Sequence, residues 1–197
     1  MNNDLGREIV EVLKDKGKGS TEAENLSLVL HFFVFDTQRA IFDLVRLNHS
    51  GAASALLRVL FEAHIKAKWV QICATDKQLN QFKKDSVKST INPKNSITFE
   101  EIVSQLEEAK PHLNGVISEF KKYHWKGLNS FTHAGLLQLI QSSQSQEKKE
   151  KLLGTAIDFS NRFAIASLGD VGKILQSEEV LSRQVKLAEK YCAIKAI

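Results

Sequence analysis

The chain has 197 residues, 43% of them hydrophobic and 25% charged, with two Pro, ten Gly and a formal net charge of +4. That length carries one sizeable core rather than two domains, the apolar content excludes global disorder, and the scarcity of Pro and Gly favours long uninterrupted helices. A pI near 9.0 permits an acidic partner such as RNA but does not require one.

Residues 3–16 place Leu5, Ile9, Val12 and Leu13 on one stripe of a short helix, which Gly17 and Gly19 end. Thr21 with Glu24 forms a capping-box signature. The helix it opens runs to about residue 48, with Leu28, Phe32, Phe35, Arg39, Phe42 and Val45 at helical spacing. After a break at 48–51, with Ser50 as the expected N-cap, residues 50–74 read SGAASALLRVLFEAHIKAKWVQICA and are apolar on every side of a helical wheel. A helix of that kind belongs in the middle of a fold. Along it Gly51, Ala55, Arg58, Glu62, Ile65 and Trp69 fall on one line, which sets an Arg and a Glu at i, i+4 into the core helix. Leaving either charge unpaired in an interior costs about 3–5 kcal/mol, so each needs a partner, and the simplest is the other.

Thr75 or Asp76 caps a fourth helix expected to reach about residue 89, within a basic stretch holding Lys77, Lys83, Lys84, Lys88 and Lys94. Asn92 and Pro93 break the chain, Thr98 and Glu101 repeat the capping box, and Pro111 suits the first turn of a helix ending near Tyr123. The segment 124–135, HWKGLNSFTHAG, is the densest in polar function. A long amphipathic helix over 147–175, carrying Leu152, Ala156, Phe159, Phe163, Ala166 and Ile174 on or near one face, and a last helix over 178–193 complete the chain. No segment alternates with period two. The expected fold is all-α, one domain over 1–197, a bundle of seven to nine helices around the central helix at 50–74.

Several chemistries drop out. No Glu has a His three residues on, as a di-iron bundle requires, and HExxH or clustered His/Cys spacings are absent, so neither metal nor cofactor is expected. No P-loop, GxGxxG or GxSxG occurs. Cys73 and Cys192 lie far apart in apolar stretches and read as reduced packing residues of a cytosolic protein. The first eighteen residues lack an apolar signal core, and the longest apolar run, 26–35, is about half a bilayer span. A cytoplasmic location and no membrane partner are expected.

Two constellations remain: Arg58 with His64 on the central helix, and Asn129 with His133 in the polar segment. Here the chain resembles the HEPN superfamily of helical bundles, whose ribonuclease members carry Arg, four to six residues, then His, usually with a polar residue directly after the Arg. Arg58 and His64 have that spacing, with Val59 at the polar position; Asn129 and His133 match the Arg-Asn-x-x-x-His form, with Leu128 where the Arg would stand. Arg58, Glu62 and Trp69 followed by Thr132, His133 and Gly135 also resemble a loose group of bacterial helical proteins, over residues 40–140. The resemblance implies a homodimer, RNA as substrate or ligand, and a place in anti-phage defence or a toxin–antitoxin pair, with a protein partner from the same system.

The chemistry expected of such a site is metal-independent. His133 acts as proton acceptor or donor. Arg58 neutralises phosphate charge, Glu62 holds its guanidinium, and Asn129 orients the phosphate or the histidine. His64, Lys122, Trp125, Lys126 and Thr132 are candidate substrate contacts, with Lys121 beside them guiding a nucleic-acid backbone. The alternative is a non-catalytic interaction module in which Arg58 and Glu62 are a structural clamp.

Overall fold

A computed structural model describes residues 5–84, 97–133 and 135–192; the expected features at Lys88, Asn92, Pro93 and Lys94 lie outside them. The chain is all-α. The helices are α1 (Leu5–Leu13), α2 (Glu22–Arg46), α3 (Ser50–Ile72), α4 (Asp76–Lys83), α5 (Phe99–Ala109), α6 (Val116–Thr132), α7 (Leu136–Ser142), α8 (Gln146–Ile174) and α9 (Glu178–Tyr191), with a 3-10 turn at Pro111–Leu113. Among the described residues none is in a strand, and no helix is long and apolar enough to cross a membrane.

Capping chemistry sets three helix starts. Thr21, Thr75 and Thr98 each accept a hydrogen bond from the third residue of their helix, while the side chain of that residue reaches back to the cap. Ser50 does not act as an N-cap: α3 begins on it, His49 takes the cap position without a side-chain bond, and Ser50 is buried. Tight coupling to α2 replaces the missing cap, because the His49 amide donates to Leu44 O at 2.8 Å.

α3 packs against α2, α5, α6, α7 and α8. Its buried residues include Ala53, Leu57, Leu60, Phe61, Ile65, Ala67, Trp69 and Val70, which lie around most of its circumference. The charged line departs from the expected one. It runs Arg58, Glu62, Lys66, all partly exposed, whereas Ile65 and Trp69 turn inward and are almost fully covered. Trp69 donates its indole N–H to Gln105 Oε1 at 2.7 Å and so docks α5 on α3. On α2 the buried stripe is Leu28, His31, Val34, Phe35, Gln38 and Ile41 rather than the stripe through Phe32 and Arg39, both of which are exposed.

Two apolar clusters result. One surrounds α3; the other joins α1, α2, α8 and α9 through Leu5, Ile9, Leu28, Phe35, Leu168, Val171 and Val180. Buried polar side chains line the α2–α3–α8 junction. Ser27 donates to Ala67 O at 2.9 Å, Gln38 Nε2 to Asn161 Oδ1 at 2.9 Å, and Lys68 to Asp170 Oδ2 at 2.7 Å. His64 Nδ1 meets Ser167 Oγ at 2.8 Å, and His31 lies edge-on to it at 6.0 Å with neither ring nitrogen partnered. Burial lowers the pKa of His31 from the ordinary 6.5 to about 4 and that of His64 to about 3, against the opposing pull of the Asp170 carboxylate.

The unfolded chain therefore takes up protons on these two histidines near pH 6.5, and the native chain does not until far lower pH. Protons favour unfolding throughout that window. Urea unfolding at pH 7 and pH 5 is expected to show a loss of about 1 kcal/mol per histidine per pH unit below 6.5. His31→Leu, which removes an orphaned polar ring, is expected to halve that loss and to raise stability at pH 7 by about 1 kcal/mol. An unchanged acid slope in this variant would show that His31 is not buried neutral.

Candidate functional site

The polar segment at 124–135 is helical over most of its length, beyond the expected helix end near Tyr123. α6 continues past Tyr123 to Thr132, and only then does the chain turn, with the Gly135 amide donating to Ser130 O at 2.7 Å. A Cβ at Gly135 would come within 2.4 Å of Ser130 Oγ, so the turn requires glycine. Ser130 Oγ in turn accepts from the Leu137 amide at 3.0 Å, which fixes the start of α7.

Because the segment is helical, Lys121, Trp125, Asn129 and His133 follow one another at intervals of four along a single line. α6 crosses the charged line of α3. Thr132 Oγ1 lies 2.9 Å from Leu128 O and 3.4 Å from Ala55 O, which ties the end of α6 to the α3 backbone. Leu128 is buried beneath this contact, so the position that would be Arg in the HEPN-type motif faces the core.

Arg58 is where the two helices meet. Its Nε donates to Glu62 Oε1 at 2.6 Å, one terminal nitrogen lies 2.7 Å from His133 Nε2, and its carbon sits 4.8 Å from the centre of the Trp125 ring. Trp125 is itself stacked on Phe99 of α5, ring centres 4.9 Å apart and 6° from parallel. A guanidinium only donates, so His133 accepts at Nε2, which places its own proton on Nδ1. Glu62 is shared with Lys66 at 3.6 Å. The arrangement is a cation held on three sides by a carboxylate, an imidazole and an indole face.

Beside it α5 and α6 enclose a groove of about 430 Å³ lined by Glu100, Ser118, Lys121, Lys122, Trp125, Lys126 and Asn129. Lys121 pairs with Glu100, stands 5.6 Å from the Trp125 ring centre, and has its pKa lowered by burial. Lys122 and Lys126 are exposed. Asn129 Oδ1 is buried and has no hydrogen-bond partner, which leaves an acceptor unsatisfied at the wall of the groove.

The fold thus brings together Arg58, Glu62, Trp125, Asn129 and His133, with Lys122 and Lys126 at the edge. Two candidates are placed elsewhere. His64 lies in the α2–α3–α8 interior with Ser167, on a different face of α3 from Arg58, and does not reach the groove. Thr132 spends its hydroxyl on main-chain carbonyls and positions α6. Trp125 is already stacked on Phe99 and set against Arg58, so it steadies the cation rather than receiving a base. Phe99 and Ser118 were not among the sequence candidates; Phe99 stands directly after its Thr98 cap, and nothing in that pattern marks an aromatic platform. Among the described residues no group of His, Cys, Asp and Glu is arranged to hold a metal ion.

No curated protein and no solved structure matches the chain. Residues 32–194 match the profile of DUF6988, a family of unknown function, and the chain belongs to that family.

Proposed function

We propose that the Arg58–His133 site binds RNA and cleaves it without a metal, in the manner of a HEPN-like ribonuclease, within a bacterial defence or toxin–antitoxin system. The observation that carries this reading is the 2.7 Å contact between the Arg58 guanidinium and His133 Nε2 beside a lysine-lined groove. It sets a phosphate-binding cation and a neutral imidazole lone pair at one point. In the reaction His133 Nε2 takes the proton of the ribose 2′-hydroxyl and the 2′-oxygen attacks phosphorus. The bond to the 5′-oxygen breaks as that oxygen receives the proton, leaving a 2′,3′-cyclic phosphate and a 5′-hydroxyl. Arg58, oriented by Glu62, exchanges its contact with His133 for the phosphate oxygens and stabilises the charge they gain. The orphaned Asn129 Oδ1 accepts from a ribose hydroxyl. Homodimerisation and a neutralising protein partner belong to the same proposal.

A second reading has its own support. Arg58 is only 22% exposed in its side chain and is already engaged by Glu62, His133 and Trp125. Such a closed clamp suits a non-catalytic interaction module in which α3 and α6 are simply locked together.

Incubation of purified protein with total RNA in the presence of EDTA separates the two. Cleavage that survives EDTA and falls by about 10²–10⁴ in His133→Ala, with folding intact, is the expected result. Intact RNA in wild type, together with a loss of about 1–3 kcal/mol of stability in Arg58→Ala, would establish the clamp instead. RNA binding measured against salt is expected to fall steeply. Lys122→Ala and Lys126→Ala should each reduce the slope of log affinity against log salt by about 0.7, as for loss of one single-strand phosphate contact. An unchanged slope in both would remove the groove from the RNA path.

A further inference from the structure

A second basic site lies on different elements, between α1 and α2. A groove of about 310 Å³ there is lined by Gly6, Arg7, Val10, Gln38, Arg39, Phe42, Asp43 and Arg46. That volume is at the lower end for sites that hold a small metabolite. Three of the lining residues are arginines and one is an aspartate, so the groove is net cationic.

The arginines on α2 are loosely committed. Arg39 stands 3.9 Å from Asp36 and Arg46 3.9 Å from Asp43, beyond hydrogen-bond distance, and both side chains are more than half exposed. Guanidinium N–H groups in that state suit a phosphomonoester, whose oxygens accept in pairs. Arg46 also lies 5.8 Å from the centre of the Phe42 ring, which gives the groove one aromatic wall.

A second observation, independent of charge, indicates a ligand. Gln38 is 1% exposed and lines the floor of the groove. Its Nε2 is spent on Asn161, and its Oε1 has no partner. A buried acceptor in that state needs a donor, and the dianionic phosphate group of a monoester has none, so the donor must stand elsewhere on the ligand. Oε1 lies at the Gly6 side of the floor, 3.4 Å from where a Cβ on Gly6 would stand. Gly6 has a further role: a Cβ there would come within 2.4 Å of Arg39 Cγ, so glycine lets the Arg39 stem lie across α1.

We infer that this groove binds a small phosphomonoester that also carries a hydroxyl or amino donor, with Arg39 and Arg46 on the phosphate and Gln38 Oε1 on the donor. Phosphorylated sugars and nucleotides share that chemistry. The inference does not depend on the RNA proposal, since the groove and the Arg58 site share no residue.

Titration calorimetry on the full chain with ribose 5-phosphate, adenosine 5′-monophosphate, adenosine and inorganic phosphate tests it. The two phosphomonoesters are expected to bind at least about tenfold tighter than adenosine or phosphate. The tighter of the two identifies the source, nucleotide or sugar phosphate. Arg39→Gln with Arg46→Gln, both at exposed positions, should weaken binding at least about tenfold. Gly6→Ala should weaken it as well by displacing the Arg39 stem. Absence of binding by both phosphomonoesters, equal binding of inorganic phosphate, or binding that survives the double Gln variant overturns the inference.

Discussion

The structure depends on one constraint: α3 is buried on nearly all sides, yet carries Arg58, Glu62 and Lys66 along one line. Charges on a core helix must be covered by something that can also solvate them. α6 meets that need with a polar face of its own, and Thr132 fastens it to the α3 backbone at the height of Ala55. Arg58 then gains a carboxylate, an imidazole and an indole in place of water. The candidate site is thus the solution to a packing problem, and the geometry that stabilises the bundle is the geometry that would bind a phosphate.

Helix positions were legible in the sequence where local chemistry dictates them. Thr21, Thr75 and Thr98 announce three helix starts because a capping box is a contact between residues three apart, and no tertiary information enters it. The central place of residues 50–74 was legible for a similar reason: uniform apolarity leaves no outward face. Ser50 is not the N-cap its identity suggests, because the buried start of α3 is held by the backbone bond from His49 to Leu44, which no single-residue preference reveals. α6 outruns the end near Tyr123 because packing on α3 keeps Gly127, Asn129 and the flanking polar residues helical against their weak intrinsic preference. The alignment of Lys121, Trp125, Asn129 and His133 on one line exists only because the segment is helical. Arg58, Glu62, Asn129 and His133 could still be named, since unlike charges on an apolar helix and a dense polar segment both stand out. Their convergence could not, because it rests on the crossing of α3 and α6. The buried polar set on α2 and α8 is not legible in the sequence, since Ser27, His31, Gln38, Ser160, Asn161 and Ser167 become a set only when the helices pack.

That polar set divides the labour of the fold. An apolar core tolerates shifts in register, whereas paired hydrogen bonds between Gln38 and Asn161, His64 and Ser167, and Lys68 and Asp170 are satisfied in one alignment of α2, α3 and α8. Asp170 shows what such a pairing withstands. Its burial opposes ionisation, yet Lys68, with help from the two histidines, holds its pKa below the ordinary carboxylate value. Registry fixed at this junction is transmitted to α3 as a rigid element, and so to the position of Arg58 relative to α6.

The two basic sites differ in how their cations are prepared. Arg58 is held by short contacts on a helix that cannot move without disturbing the core, so a ligand there must displace His133 but meets a guanidinium already oriented. Arg39 and Arg46 sit on the outer face of α2 with carboxylates at 3.9 Å, so a ligand there displaces nothing tightly bound but must fix two exposed side chains. The first arrangement favours a reaction, in which stabilisation has to be in place before charge develops. The second favours reversible binding of a small anion, in which the ordering cost tempers affinity and allows release. If both proposals hold, one set of arginines would act on a phosphate-bearing molecule while the other holds one, and the helices that carry them, α2 and α3, pack directly against each other.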